Sequence, residues 1–182
     1  ERQGFIPERY FFIMERSLLL PISAPKLPEG FILRQVEAQQ DAEAWVEMFN
    51  ESFIDHWNHQ ELTAERYQYY VTQLHYKPEL DLIALAADGT FVALCEGSIN
   101  PEANQRSGRN EGWIDALGTR RSFRKKGLGR AMLLAAIQKL QAAGVDSVRL
   151  CVDSENPSGA LQLYESVGFR KVHTNISFVV GC

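Results

Sequence analysis

The stretch that most constrains this chain runs from Leu117 to Arg130, Leu-Gly-Thr-Arg-Arg-Ser-Phe-Arg-Lys-Lys-Gly-Leu-Gly-Arg. An apolar run, Trp113 to Leu117, passes through a glycine-containing turn directly into a long helical pattern that begins at Leu128. Six of the chain's 19 basic residues lie within 120–130 with no acid among them, leaving 13 basic against 23 acidic residues elsewhere. A cationic turn at a helix start, inside an otherwise acidic protein, reads as an anion site. The first amides of a helix have no intrahelical acceptor, and the helix dipole adds partial positive charge there. Gly127 and Gly129 let the backbone approach a ligand without Cβ interference. The stretch therefore predicts a grip on a phosphate-bearing cofactor.

The totals narrow the alternatives. A chain of 182 residues is long enough for one domain with a real core and room for an appendage. A net charge of −4 argues against a general nucleic-acid binder, which should be basic as a domain. No apolar run approaches the roughly 18–20 residues of a membrane span, and no apolar signal segment follows Glu1. Cys95, Cys151 and Cys182 are scattered without metal-type spacing, which predicts reduced thiols and a cytoplasmic location. His56-x-x-His59 beside Asp55 lacks a third ligand at metal spacing, so no metal site is expected.

Along the chain, residues 4–16 read as a strand rich in aromatic and β-branched side chains, and 17–30, with Pro21, Pro25 and Pro28, as a linker. A short strand at 31–36 opens the main unit. A helix follows from Asp41, an available N-cap, with Trp45, Met48, Phe49 and Phe53 on one face. A second helix is expected from Thr63 to His75. Two apolar runs, Leu80–Ala87 and Phe91–Asn100, flank Asp88-Gly89, a strong hairpin signal. Residues 101–112 read as a longer hairpin loop leading to the strand at 113–119. The next helix runs from Gly127 to Ala143 and stops at Gly144. A strand over 147–152 follows, then a helix from Asn156-Pro157 (N-cap, then N1 proline) to Val167, then two short final strands within 169–180.

The head of the chain echoes its tail. Gly4-Phe5 followed by Tyr10-Phe11-Phe12-Ile13 matches Gly168-Phe169 followed by 174–178 in spacing and type. With no initiator methionine, residues 1–16 are expected to be the end of a preceding copy of the same domain, and 31–182 the domain proper.

Three phosphate loops can be told apart. A P-loop needs Lys-Ser/Thr after its last glycine, where this chain has Arg130-Ala131; the dinucleotide fingerprint needs a small residue where Met132 stands. Arg124-Lys-Lys-Gly127-Leu-Gly129, preceded by a strand ending Leu117-Gly118-Thr119, instead resembles the Arg/Gln-x-x-Gly-x-Gly/Ala signature of the GNAT family of acyl-CoA-dependent N-acetyltransferases. The second motif, Asn156-Pro157-Ser158-Gly159-Ala160 through Tyr164 to Gly168-Phe169, and the order of elements are similar too, over about residues 31–180. Within the family the chain is closest in type to tandem proteins such as mycothiol synthase, without that activity being implied. Thr119 and Arg121 stand where members often carry Val and Pro.

The resemblance implies an α/β (α+β) GNAT fold, with a mixed, mostly antiparallel sheet of six to seven strands and about four helices on its two faces. It implies acetyl-CoA as cofactor and a primary amine of a small molecule or peptide as acceptor, joined by direct attack in a ternary complex. Backbone groups of Leu117 and Thr119, flanking Gly118, would pair with the pantetheine arm, and Asn156 would touch it. Amides from Arg124 through Leu128 to Gly129 would hold the pyrophosphate, with Arg124, Lys125, Lys126 and Arg130 supplying charge. Tyr164 would protonate the leaving thiolate, which a phenol can serve as acid. Asp115 and Glu96 are candidates to receive the amine's proton; Asp115, sharing strand parity with Leu117 and Thr119, is preferred. Phe53, His56 and Trp57, between the first two helices, are expected to face the acceptor. A preceding repeat is the expected partner and a homodimer is compatible. The rival reading is a non-catalytic CoA-binding or scaffold half of a tandem protein.

Overall fold

The computed structural model describes residues 4–74 and 76–180. The elements are β1 (Phe5–Ser17), β2 (Phe31–Gln35), α1 (Ala42–Phe53), α2 (Ala64–Tyr70), β3 (Asp81–Ala86), β4 (Phe91–Ser98), α3 (Pro101–Ser107), β5 (Glu111–Thr119), α4 (Leu128–Ala142), β6 (Ser147–Asp153), α5 (Ala160–Ser166) and β7 (Arg170–Val180). One seven-stranded sheet takes the order β2-β3-β4-β5-β6-β1-β7. All its pairings are antiparallel except β5 with β6.

Each face of the sheet carries its own core. On one, Met132, Leu133, Ile137 and Leu140 of α4 pack with Val148, Leu150 and Val152 of β6 and with Tyr164, Val167 and Phe169. On the other, Trp45 and Met48 of α1 pack with Tyr67 of α2 over Ile83, Leu85 and Leu94. The Trp45 and Tyr67 rings stack at 4.4 Å. Truncating a fully buried residue such as Ile137 should cost about 2–5 kcal/mol.

The feature that makes a site is the parting of β5 and β6. Their parallel ladder joins only Glu111–Ile114 to Ser147–Leu150. Beyond it, 115–119 and 151–153 turn from each other and leave a wedge at the centre of the sheet.

Several expectations are corrected. Residues 101–107 form a helix rather than a bare loop: Asn100 accepts from the Ala103 amide at 2.9 Å, Pro101 starts the helix, and Gly108 ends it. It buries no side chain, so it leaves no periodicity to read. The helix expected from Asn156 begins instead at Ala160, because the Asn156 side chain folds onto Ser158 in a turn and Gly159 is left-handed. Asp41 makes no side-chain cap; its carboxylate binds Arg34 (2.6 and 2.8 Å) and the Glu37 amide. The α2 helix ends at Tyr70, and His75 lies outside the described residues. The tail is one long strand, β7, rather than two short ones.

Residues 1–16 were placed outside the 31–182 unit by sequence. Within the described residues, β1 is an interior strand of the same sheet, paired to β6 from Phe11↔Asp153 to Ser17↔Ser147 and to β7 from Phe5↔Val180 to Glu15↔Arg170. Among the described residues no helix is long and apolar enough to cross a membrane. Cys95 is buried and Cys151 exposed, neither in a disulfide; Cys182 lies outside the described residues.

Candidate functional site

A cavity of about 1000 Å³ fills the wedge, bounded by the end of β5, the 121–130 turn, the end of β6 and the start of α5. Leu117, Gly118, Thr119, Arg124, Lys125, Gly127, Leu128, Gly129, Arg130, Asn156 and Tyr164 all line it, as do Asp115, Phe53 and His56. Lys126 and Trp57 do not.

The turn carries a run of free donors. Among the described residues, the backbone amides from Lys125 to Arg130 donate to no protein acceptor; the first helical bond is Ala131 N to Gly127 O, 3.1 Å. Lys125 (φ +62°) and Gly127 (φ +90°) are both left-handed, which bends the chain into a concave rim. Only glycine takes the latter conformation without strain. This donor-rich rim is what an anion such as a pyrophosphate needs, so the residues present fit the cofactor implied by the fold.

The side chains tell a different story from the sequence. Arg120 pairs with Glu47 (3.2 Å) and Glu51 (2.7 Å), and Arg121 pairs with Asp55. Arg124 donates to the carbonyls of Thr119 (3.1 Å) and Ser52 (2.9 Å) and to Asp55 (3.2 Å). These arginines tie the turn to α1 and the segment after it. Lys126 lies over the Phe123 ring and Arg130 donates to Ser166 Oγ. The acids that answer the basic block are thus supplied by α1 and the segment just after it, far away in sequence.

On β5, Arg120 N donates to Val92 O, so alternation along the antiparallel ladder makes Gly118↔Leu94 the next bonded pair. Leu117 and Thr119 therefore turn their backbone groups to the wedge, although Thr119 O is shared with Arg124. Gly118 is required for packing: a Cβ there would lie 2.9 Å from both Phe53 and Ser52 of α1.

Tyr164 is only 8% exposed, stacked edge-on to Phe169 at 6.0 Å, and its hydroxyl has no protein partner among the described residues. Burial raises its pKa above the ordinary phenol value. Asn156 uses its carbonyl oxygen on Ser158, leaving its amide group free at the cavity wall.

The acids are arranged in depth. Asp115 is the extra residue of a β-bulge, opposite the step from Glu96↔Ala116 to Gly97↔Ile114. The parity argument that grouped it with Leu117 and Thr119 therefore fails, yet it lines the cavity. Its carboxyl is raised above the usual range by the protein crowded around it. Behind it lies Glu96, buried, accepting from Tyr70 OH and held up at about 8, first by desolvation and then by the charge of Asp81. Asp81, also buried, accepts from Tyr76 OH (3.0 Å) and Trp45 Nε1 (3.3 Å) and sits at about 6.

On the remaining side, sequence missed Phe11 and Arg9. Phe11 of β1 lines the cavity, and Trp57 lies behind it at 5.8 Å between ring centroids. Arg9 sits 5.9 Å over Trp57 and grips Asp153 at 2.8–3.0 Å and Glu155 at 2.9 Å. Nothing local marks these residues, because the contact joins positions 144 apart in sequence.

The model of the Acetyltransferase (GNAT) family matches residues 42–169, and the chain belongs to that family. The mycothiol acetyltransferase of Thermobispora bispora is 33% identical over 175 residues, covering 96% of this chain and 58% of the relative. That of Nocardiopsis dassonvillei is 30% identical, covering 87% and 51%. A GCN5-related N-acetyltransferase from Sphaerobacter thermophilus superposes with a TM-score of 0.81 at 30% identity, over 96% of this chain and 52% of that one. A tandem GNAT protein from the clavulanic acid biosynthesis pathway shares the fold, with a TM-score of 0.71 at 14% identity, over 96% and 55%. The chain spans about half the length of these relatives.

Proposed function

We propose that this chain is an N-acetyltransferase domain that transfers an acetyl group from acetyl-CoA to a primary amine, by direct attack in a ternary complex. The observation that carries the proposal is the run of free amides from Lys125 to Arg130, ending one wall of a wedge whose other wall presents Tyr164. Acetyl-CoA, when bound, supplies the acyl group as an activated thioester. The amides of 125–130 hold its pyrophosphate, helped by the Lys125 and Arg130 charges, while the free backbone edge at Leu117 and Thr119 and the Asn156 amide hold the pantetheine arm. The Tyr164 hydroxyl, with no protein acceptor, donates its proton to the leaving thiolate. Burial strengthens a thiolate as a base just as it weakens the phenol as an acid, so the transfer stays matched. Asp115, at the cavity wall, takes the proton the amine must lose; Glu96 lies behind it.

The acceptor in this reading is a primary amine of a small molecule or peptide. Two further proposals stand beside the reaction. A preceding copy of the domain contributes β1: Gly4 and Gly168 both have positive φ, each begins a Gly-Phe pair, and the strands after them pair antiparallel along their lengths. A location in the cytoplasm agrees with the unpaired Cys95 and Cys151.

The test is thermal stabilisation by CoA, NAD and ATP in turn, followed by thiol release from acetyl-CoA across a panel of amines. Stabilisation by CoA alone, with release, is expected; stabilisation by NAD or ATP instead would sink the cofactor assignment. CoA binding without release for any amine would favour a non-catalytic half.

A further inference from the structure

We propose that Phe11, on the strand that sequence placed outside the domain, is the specificity wall of the acceptor half of the cavity, and that it selects amines carrying an apolar group. The inference rests on the acetyltransferase reading for the site's purpose, and on separate observations for the wall. Phe11 faces the cavity beyond the end of β6, where its ladder partner is Asp153. It is fixed from behind. Trp57 packs against it at a tilt of 56°, Arg9 covers Trp57, and Arg9 is clamped by two carboxylates, one of them the side chain of Asp153, which is 2% exposed.

Charge points to the same kind of acceptor. At this end Arg9 answers the buried Asp153 of the cavity wall, while Glu155, whose side chain is 64% exposed, stands outside that wall, so the wall itself offers no free charge to a second ammonium. Of the carboxylates lining the cavity, Asp55 and Asp153 are paired with arginines, which leaves Asp115 for a single ammonium, and Phe11 and Phe53 line the same cavity. An amine whose substituent is aryl or alkyl buries that substituent on Phe11, whereas a diamine would strand its second charge there. Phe11 is thus a specificity residue, and Arg9 and Trp57 are positioning residues that act through it.

The experiment titrates phenethylamine, hexylamine, putrescine and ethanolamine into CoA-saturated protein, and measures CoA affinity separately. The protein should bind phenethylamine and hexylamine about tenfold or more tightly than ethanolamine and putrescine, the range one apolar contact supplies. In Phe11→Ala the preference should fall to within about twofold, with CoA affinity unchanged. Trp57→Ala should lose the preference in the same way, and Trp57→Phe should restore it, which a general loss of folding would not do. Absence of any preference in the unaltered protein, or a preference that survives Phe11→Ala, overturns the inference. Failure to bind CoA would count against the acetyltransferase reading instead, so the two can fail separately.

Discussion

The two ends of the cavity are built in opposite ways. The cofactor end is a single continuous stretch, 117–130, whose working groups are backbone amides set by two left-handed residues. The acceptor end is gathered from β1, the segment after α1, a bulge in β5 and the tip of β6. At the first, side chains brace and the backbone offers the free donors; at the second, side chains form the wall and long-range ion pairs brace it. A local device survives as a motif that can be read letter by letter. An assembled one depends on contacts no spacing rule records.

The sharpest way to break this contrast is at Tyr164, which stands between the two ends. Its hydroxyl bonds to nothing in the described protein, so Tyr164→Phe should leave the fold and CoA affinity intact while kcat falls roughly 10²–10³-fold. An equal fall in CoA affinity would make it scaffold. Next is Gly127→Asp, which places a carboxylate among the free amides at a φ of +90°. CoA affinity measured by calorimetry should drop about 100-fold, a loss of about 2.7 kcal/mol, with the amine preference of the other end unmoved.

Arg124→Ala separates bracing from binding. Because the guanidinium ties Thr119, Ser52 and Asp55 together, its loss should lower folding stability by about 1–3 kcal/mol in a denaturant titration. Lys125→Ala should show the smallest effect, a CoA affinity lower by a few fold and a shallower dependence on salt, without a change in melting temperature. If the two variants exchange these signatures, the side chains of the turn bind rather than brace.

A pH series tests the acceptor end from beneath. Glu96 is held near 8 in the folded protein against an ordinary value of 4.5, so between those values the folded state keeps a proton that the unfolded chain has lost. Stability from this group is therefore greatest below about 4.5, declines as pH rises, and levels off above about 8. Glu96→Gln should flatten that decline, by an amount on the order of 1–3 kcal/mol between pH 5 and 8. An unchanged slope would mean that Glu96 is ionised throughout.

The sequence was most legible where one physical cause acts over a few neighbouring residues. The Asp88-Gly89 turn, the spacing of Leu128, Met132, Ala136 and Leu140 along α4 and the alternation of Val148, Leu150 and Val152 each follow from a local signal, and the structure agrees. Reading failed where a side chain chose a distant partner over a near one. Asp41 turned to Arg34 instead of capping its helix; Asn156 defeated the reading differently, closing a local turn on Ser158 that delays the helix to Ala160. The basic block looked unanswered because its acids sit on α1 and just after it. The bulge at Asp115 reversed a parity argument by inserting one residue, a change that no pattern in β5 announces.

The place of β1 also bears on how the chain folds. Within this sequence β1 precedes every other strand, yet its neighbours β6 and β7 are the last two, and Arg9 and its partner Asp153 stand 144 positions apart. The entropy of closing so long a loop must be met before any of those contacts can form, and long-range pairing of this kind slows folding. The Phe11 side of the cavity thus depends on contacts about twice as distant in sequence as those that brace the 120–124 turn. A chain lacking those contacts would keep its donor-rich turn but lose one wall of the cavity.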